Sequence, residues 1–122
     1  MPKSGVRVFY EGNFHTVELA VTSDGSCPAQ EFLEGLSKND LAKISRIIKR
    51  LADFGRIFNR EQFKKIEPGF HEFKYYQIRM PCYFKPNRRV VITHGFKKKT
   101  HRIGRAEIER IKRIKAEYEK EG

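Results

Sequence analysis

Apolar residues along this chain follow two different periods, and the change between them marks out its elements. Residues 6–11 (Val-Arg-Val-Phe-Tyr-Glu) are rich in β-branched and aromatic side chains and predict a strand. Residues 14–21 extend it as a hairpin around Gly12-Asn13. Pro28 then suits the first position of a short helix over 29–36, with Phe32, Leu33 and Leu36 on one face. Leu41, Ile44, Ile47, Ile48, Leu51 and Phe54 recur at intervals of three and four, the stripe of a longer amphipathic helix. Ser37, Asn39 or Asp40 can cap its start, and Gly55 suits a left-handed stop. Beyond the turn at Glu67-Pro68-Gly69 the pattern becomes extended. Residues 70–75, 77–84 and 89–94 predict three strands, the last two joined by Lys85-Pro86-Asn87-Arg88. Pro81 removes a ladder donor from the middle run and predicts a bulge or an unpaired edge. Ile108, Ile111, Ile114 and Tyr118 then stripe a C-terminal amphipathic helix over 105–120. The expected fold class is α+β. Two N-terminal helices pack on a small, mostly antiparallel sheet, the C-terminal helix completes it, and all 122 residues form a single domain.

Charge changes this picture from a fold to a surface. Residues 73–106 contain no Asp or Glu but hold ten of the 26 Lys and Arg residues, so nearly all of the net charge of +11 falls in one segment. Two histidines and six Phe or Tyr side chains are interleaved with those cations. Cations on a rigid sheet beside aromatic rings suit a polyanion with unstacked bases, so nucleic acid is the expected partner. With several phosphates in contact, affinity is expected to fall roughly 10³-fold between 50 and 200 mM salt. No run approaches the length of a membrane span and the first residues lack the apolar core of a signal peptide, so no membrane is involved and the cytoplasm is the expected location. Cys27 and Cys82 match no metal spacing and are expected to be free thiols.

Within the basic segment, His94-Gly95-Phe96-Lys97-Lys98-Lys99 places three lysines on a turn between a strand and a helix, where like charges call for an anion. Gly95 permits close backbone approach and Phe96 anchors the turn. Lys74 and Arg79 lie on adjacent strands, where hairpin pairing brings both to one sheet face and each lowers the other's pKa. A lysine so placed can transfer protons while the arginine remains a charge clamp. Lys74, Arg79, Lys97, Lys98 and His94 are therefore the candidate catalytic residues. Lys85, Arg88, Arg89, Lys99, Arg102, Tyr75 and Tyr76 are candidate RNA and phosphate contacts. His71 and His101 also titrate near neutrality, but no histidine sits in a ligand pattern, so neither metal nor cofactor is expected.

Several ordered segments resemble the phage-derived, HigB-like branch of the RelE/ParE toxin superfamily. Residues 25–33 resemble that branch's Gly-Lys-Ser-Pro-x-x-Glu-Phe-Leu helix start. Phe63-Lys64-Lys65-Ile66 and Gly69-Phe70-His71-Glu72-Phe73-Lys74 resemble its Lys-Lys-Leu and Gly-Leu-Tyr-Glu-Leu-Arg blocks. Gln77-Ile78-Arg79 matches its Tyr-Arg strand, and residues 94–100 match its His-Gly-Phe-x-Lys-Lys-Thr, the most specific block. Lys74 stands where an arginine is usual, Pro81-Cys82 interrupts a strand written Ile-Leu-Tyr, and Ile103-Gly104 replaces Thr-Pro. The resemblance implies a toxin of a type II toxin–antitoxin system that cuts translated mRNA on the ribosome without a metal. It also implies a cognate antitoxin, expected to be a helix-turn-helix protein. The matching positions are Lys74, Arg79, Lys97, Lys98 and His94.

Two other function classes use the same features. A non-catalytic RNA- or ribosome-binding module needs only the basic surface, and a ParE-like member inhibits a protein such as DNA gyrase. The lysine turn and Arg79 favour RNA cleavage over the latter, because inhibiting a protein gives less reason to cluster phosphate-binding groups.

Overall fold

The computed structural model describes residues 6–98 and 103–120. The chain begins with two strands, β1 (Arg7–Glu11) and β2 (Thr16–Leu19), followed by helices α1 (Pro28–Glu34) and α2 (Lys38–Phe54). Five strands come next: β3 (Phe63–Glu67), β4 (Phe70–Tyr75), β5 (Ile78–Lys85), β6 (Arg89–Ile92) and β7 (Phe96–Lys97). Helix α3 (Arg105–Lys120) closes the described chain.

This corrects the expected fold class. Strands, not two helices, occupy the N-terminus, and the sheet is not small: it has seven strands and is mixed, with one parallel pairing among antiparallel ones. Its order is β1-β2-β6-β5-β4-β3, with β7 also paired to β5, and β2 runs parallel to β6. The cause is long-range. Val17 and Leu19 sit beside Val90 and Ile92, so burying both apolar pairs on one face docks the N-terminal hairpin against a strand more than 70 residues later. The helices then serve as the crossover that such parallel pairing needs.

Local signals position the helices. Ser37 caps α2 by accepting the backbone N–H of Asp40 at 3.1 Å, and Gly55 ends it at φ 85°. The buried stripe of Ile44, Ile47, Ile48 and Leu51 joins Val17, Leu19, Phe73, Met80, Val90 and Ile92 in one core. Helix α3 covers part of the opposite sheet face. Tyr118 donates to Glu18, Tyr83 donates to Glu119 at 2.5 Å, and Lys85 pairs with Glu119 at 2.8 Å. Glu18, Tyr83 and Lys85 alternate with the core residues Val17 and Cys82, which places them on the side away from α2.

Pro81 acts on its neighbour strand rather than on its own. Its carbonyl accepts the N–H of Thr93 at 3.0 Å, but it has no N–H to return. The β6 ladder stops at Ile92 and resumes as β7 at Phe96, against Arg79. That interruption aims residues 93–98 around the sheet end where the candidate site lies.

Candidate functional site

On the face shared with α3, β3, β4 and β5 place a row of charged side chains beyond the helix. Lys64 lies directly across from Glu72, and Lys74 directly across from Arg79. Glu72 and Lys74 are two residues apart on one strand and so share that face. Lys98 reaches the same cluster from the end of β7, where its backbone N–H donates to the carbonyl of Gln77 at 2.8 Å.

Glu72 is the centre of this group. Its side chain is 1 % exposed, with one carboxylate oxygen 3.7 Å from Arg79 Nε and the other, Oε1, without a hydrogen-bond partner among the described residues. Burial raises the Glu72 pKa, while Arg79, Lys98, Lys64 and Lys74 pull it back down. Burial also lowers the Lys74 pKa; Lys64 and Arg79 lower it further and Glu72 opposes them. Lys98 is lowered chiefly by burial, against the pull of Glu72. Arg79 is held in place by its own turn, donating from Nη1 to the carbonyls of Tyr76 and, at 2.9 Å, Ile78. Three cations gathered on one face, backed by a buried carboxylate, suit a single phosphodiester.

The expected site residues divide by position. Lys74, Arg79 and Lys98 converge. Lys97 does not join them, because it is the direct partner of Ile78 and faces the α2 side of the sheet. There it lines a cavity of about 280 Å³ with Tyr75, Tyr76, Gln77, Ile78 and Asp40. Tyr76 is 83 % exposed and held at φ 52°, with its ring edge-on to Tyr75 at 4.7 Å. Tyr75, the direct partner of Ile78, lies on the α2 side with Lys97 and does not join the cation cluster.

His94 lies outside the cation cluster and is fully buried. Its Nδ1 is 3.0 Å from Thr93 Oγ1 and its Nε2 3.0 Å from Glu107 Oε1, which fastens β6 to α3. Burial lowers its pKa, against the pull of Glu107. The ring stacks on Phe96 at 5.4 Å, and Gly95 is needed because a Cβ there would collide with the Phe32 ring. His-Gly-Phe is thus a packing unit that sets the course of the lysine turn. His71 faces the α2 side, stacked on Phe63 at 5.0 Å.

Lys85, Arg88 and Arg89 sit at the other end of β5, about 20 Å from Arg79 at the usual rise per residue. Arg89 donates to both oxygens of Glu18 at 2.7 and 2.6 Å, Lys85 pairs with Glu119, and Arg88 lies over the Phe14 ring at 4.8 Å. Lys99, Arg102 and His101 lie outside the described residues.

Sequence reasoning missed Glu72 and Lys64. Glu72 stands one residue before the carboxylate-free segment, and its spacing of two from Lys74 was the available signal. Cys27 and Cys82 are free and buried, and no helix among the described residues is long and apolar enough to cross a membrane. Among comparisons with known proteins, residues 31–116 match the family model described as phage derived protein Gp49-like (DUF891). No curated protein matches the chain significantly.

Proposed function

We propose, for a chain that belongs to the Gp49-like family of phage-derived proteins, that it is a ribosome-dependent endoribonuclease acting as the toxin of a type II toxin–antitoxin pair. The family is associated with toxin–antitoxin toxins of the RelE/HigB class, and a toxin of such a pair has a cognate antitoxin as partner. The observation that carries the reading is the convergence of Lys74, Arg79 and Lys98 on one sheet face.

RNA carries its own nucleophile, the 2′-hydroxyl. Cleavage by this route needs that oxygen aligned with the phosphorus, relieved of its proton, and the added charge on the phosphate stabilised. Arg79, its guanidinium already fixed by two carbonyls, clamps the phosphate oxygens. Lys74 or Lys98, each lowered by burial, supplies the proton transfer and further positive charge. Tyr76, exposed in the turn whose carbonyl holds Arg79, offers a ring for a neighbouring base to stack on. Preorganised charge contributes most of the acceleration in such reactions, which is why a rigid sheet suits this one.

Expression of the chain is expected to stop protein synthesis, measured by amino-acid incorporation, before any change in DNA supercoiling. Loss of supercoiling with translation intact would favour the ParE-like reading instead. The ion pairs of Lys85 and Arg89 also lower the salt sensitivity expected from composition. With about four phosphates contacted, affinity for single-stranded RNA should fall only about 50-fold between 50 and 200 mM salt. A filter-binding titration measures it, and a fall near 10³-fold would mean that the paired cations take part after all.

A further inference from the structure

Glu72 is an odd residue to find in this place. A buried carboxylate is costly unless paired and hydrogen-bonded, and here one oxygen has an ion-pair distance of 3.7 Å and the other has no hydrogen-bond partner among the described residues. An amide or an apolar side chain of similar size would avoid that cost. The carboxylate sits within a ring of cations drawn from every neighbouring segment: Lys64 of β3, Lys74 of β4, Arg79 of β5 and Lys98 beyond β7. The thiol of Cys82 on β5 also feels its charge.

We propose that Glu72 is the positioning residue of the anion site: its carboxylate is an internal counter-ion that aims Arg79 and gathers the three lysines, and it takes up a proton when an RNA phosphodiester replaces it in that role. The proposal rests on reading the site as a phosphodiester site. Before RNA binds, four neighbouring cations would repel one another, and Glu72 offsets that repulsion while holding Arg79. When a phosphodiester arrives, it becomes a second anion beside the buried Glu72 carboxylate, and neighbouring like charges cannot both remain ionised without loss. The phosphodiester stays charged at any ordinary pH. Glu72, whose charge burial already disfavours, is the group that gives way. Binding then consumes a proton, so affinity falls as pH rises above the range in which free Glu72 titrates.

The test uses the whole chain and a short single-stranded RNA carrying 2′-O-methyl groups, which binds but cannot be cut. Calorimetry near pH 6, in two buffers of different ionisation enthalpy, counts the protons exchanged. Wild type is expected to take up about one proton per RNA, seen also as affinity falling about tenfold per pH unit. Glu72→Gln should bind at least as tightly with no uptake, and Glu72→Asp should restore it. Asp also keeps the test valid if the Gln variant does not fold. Uptake that persists in Glu72→Gln would place the proton on Lys74, Lys98 or a histidine and overturn the proposal, as would no uptake by wild type. A different outcome separates the underlying reading. If Arg79→Ala binds this RNA as well as wild type does, the phosphodiester site itself is wrong and the proposal falls with it.

Discussion

Arg79→Ala is expected to slow mRNA cleavage by about 10²-fold or more, the scale of losing one preorganised donor to a developing oxyanion. The structure makes this a different experiment from removing a loose surface cation. Arg79 is only 13 % exposed, fixed by the carbonyls of Tyr76 and Ile78 and paired with Glu72. Its removal should therefore also cost stability, about 1–2 kcal/mol for the lost charged hydrogen bonds. Thermal melting of the variant must show it folded at the assay temperature. Arg79→Lys keeps the charge but not the planar fork, so it should recover only part of the rate. Arg46→Ala is the charge control, since Arg46 lies on α2 and that helix covers the other face of the sheet. It should cut at the wild-type rate. Equal small losses in Arg79→Ala and Arg46→Ala would mean that only bulk charge matters.

Arg89→Ala should show the reverse profile, a large loss of stability with no specific loss of chemistry. Arg89 forms a two-pronged bond to Glu18, a carboxylate 2 % exposed that also accepts from Tyr118 of α3. Removing the arginine leaves a buried charge with its main partner gone. One-sided breaking of such a pair costs several kcal/mol, and because the Arg89 side chain is itself 32 % exposed, about 3 kcal/mol is expected. That corresponds to a melting temperature lower by about 10 °C. Urea unfolding measures the change, and the double variant Glu18→Gln/Arg89→Ala should recover part of it. A change below about 0.5 kcal/mol, typical of a plain surface site, would show that the pair contributes little.

The contrast between Arg79 and Arg89 shows what the sequence could and could not convey. Both lie in the carboxylate-free segment and looked equally available to phosphate. Their difference comes from Glu18, 71 positions before Arg89, which Tyr118 of the last helix also holds. A carboxylate-free stretch in sequence is not one in space once a sheet brings other strands beside it. The pairing of Lys74 with Arg79 was legible because a tight hairpin fixes its register locally. The bounds of α3, the stop at Gly55 and a cap among Ser37, Asn39 and Asp40, which the structure narrows to Ser37, were legible for the same reason, being set within a turn or two of chain. The mixed sheet was not, because the parallel pairing of β2 with β6 depends on a crossover of five intervening elements. Strand β3 was also missed: its Phe63-Lys64-Lys65-Ile66 has no regular alternation, and a register shift between Lys65 and Glu67 breaks its ladder. His94 was read for its titration, whereas burial and Glu107, 13 residues away, make it a fastening.

The chemistry of the cut ends tests the central claim most directly. Messenger RNA can be recovered from cells expressing wild type or Arg79→Ala, and its new ends mapped by ligation methods that distinguish a 5′-hydroxyl from a 5′-phosphate. Attack by the 2′-hydroxyl leaves a 5′-hydroxyl on one fragment and a 2′,3′-cyclic phosphate on the other. The expected result is 5′-hydroxyl ends inside translated reading frames with wild type, and their near absence with Arg79→Ala. New ends that carry 5′-phosphate, or no new ends while translation stops, would contradict it.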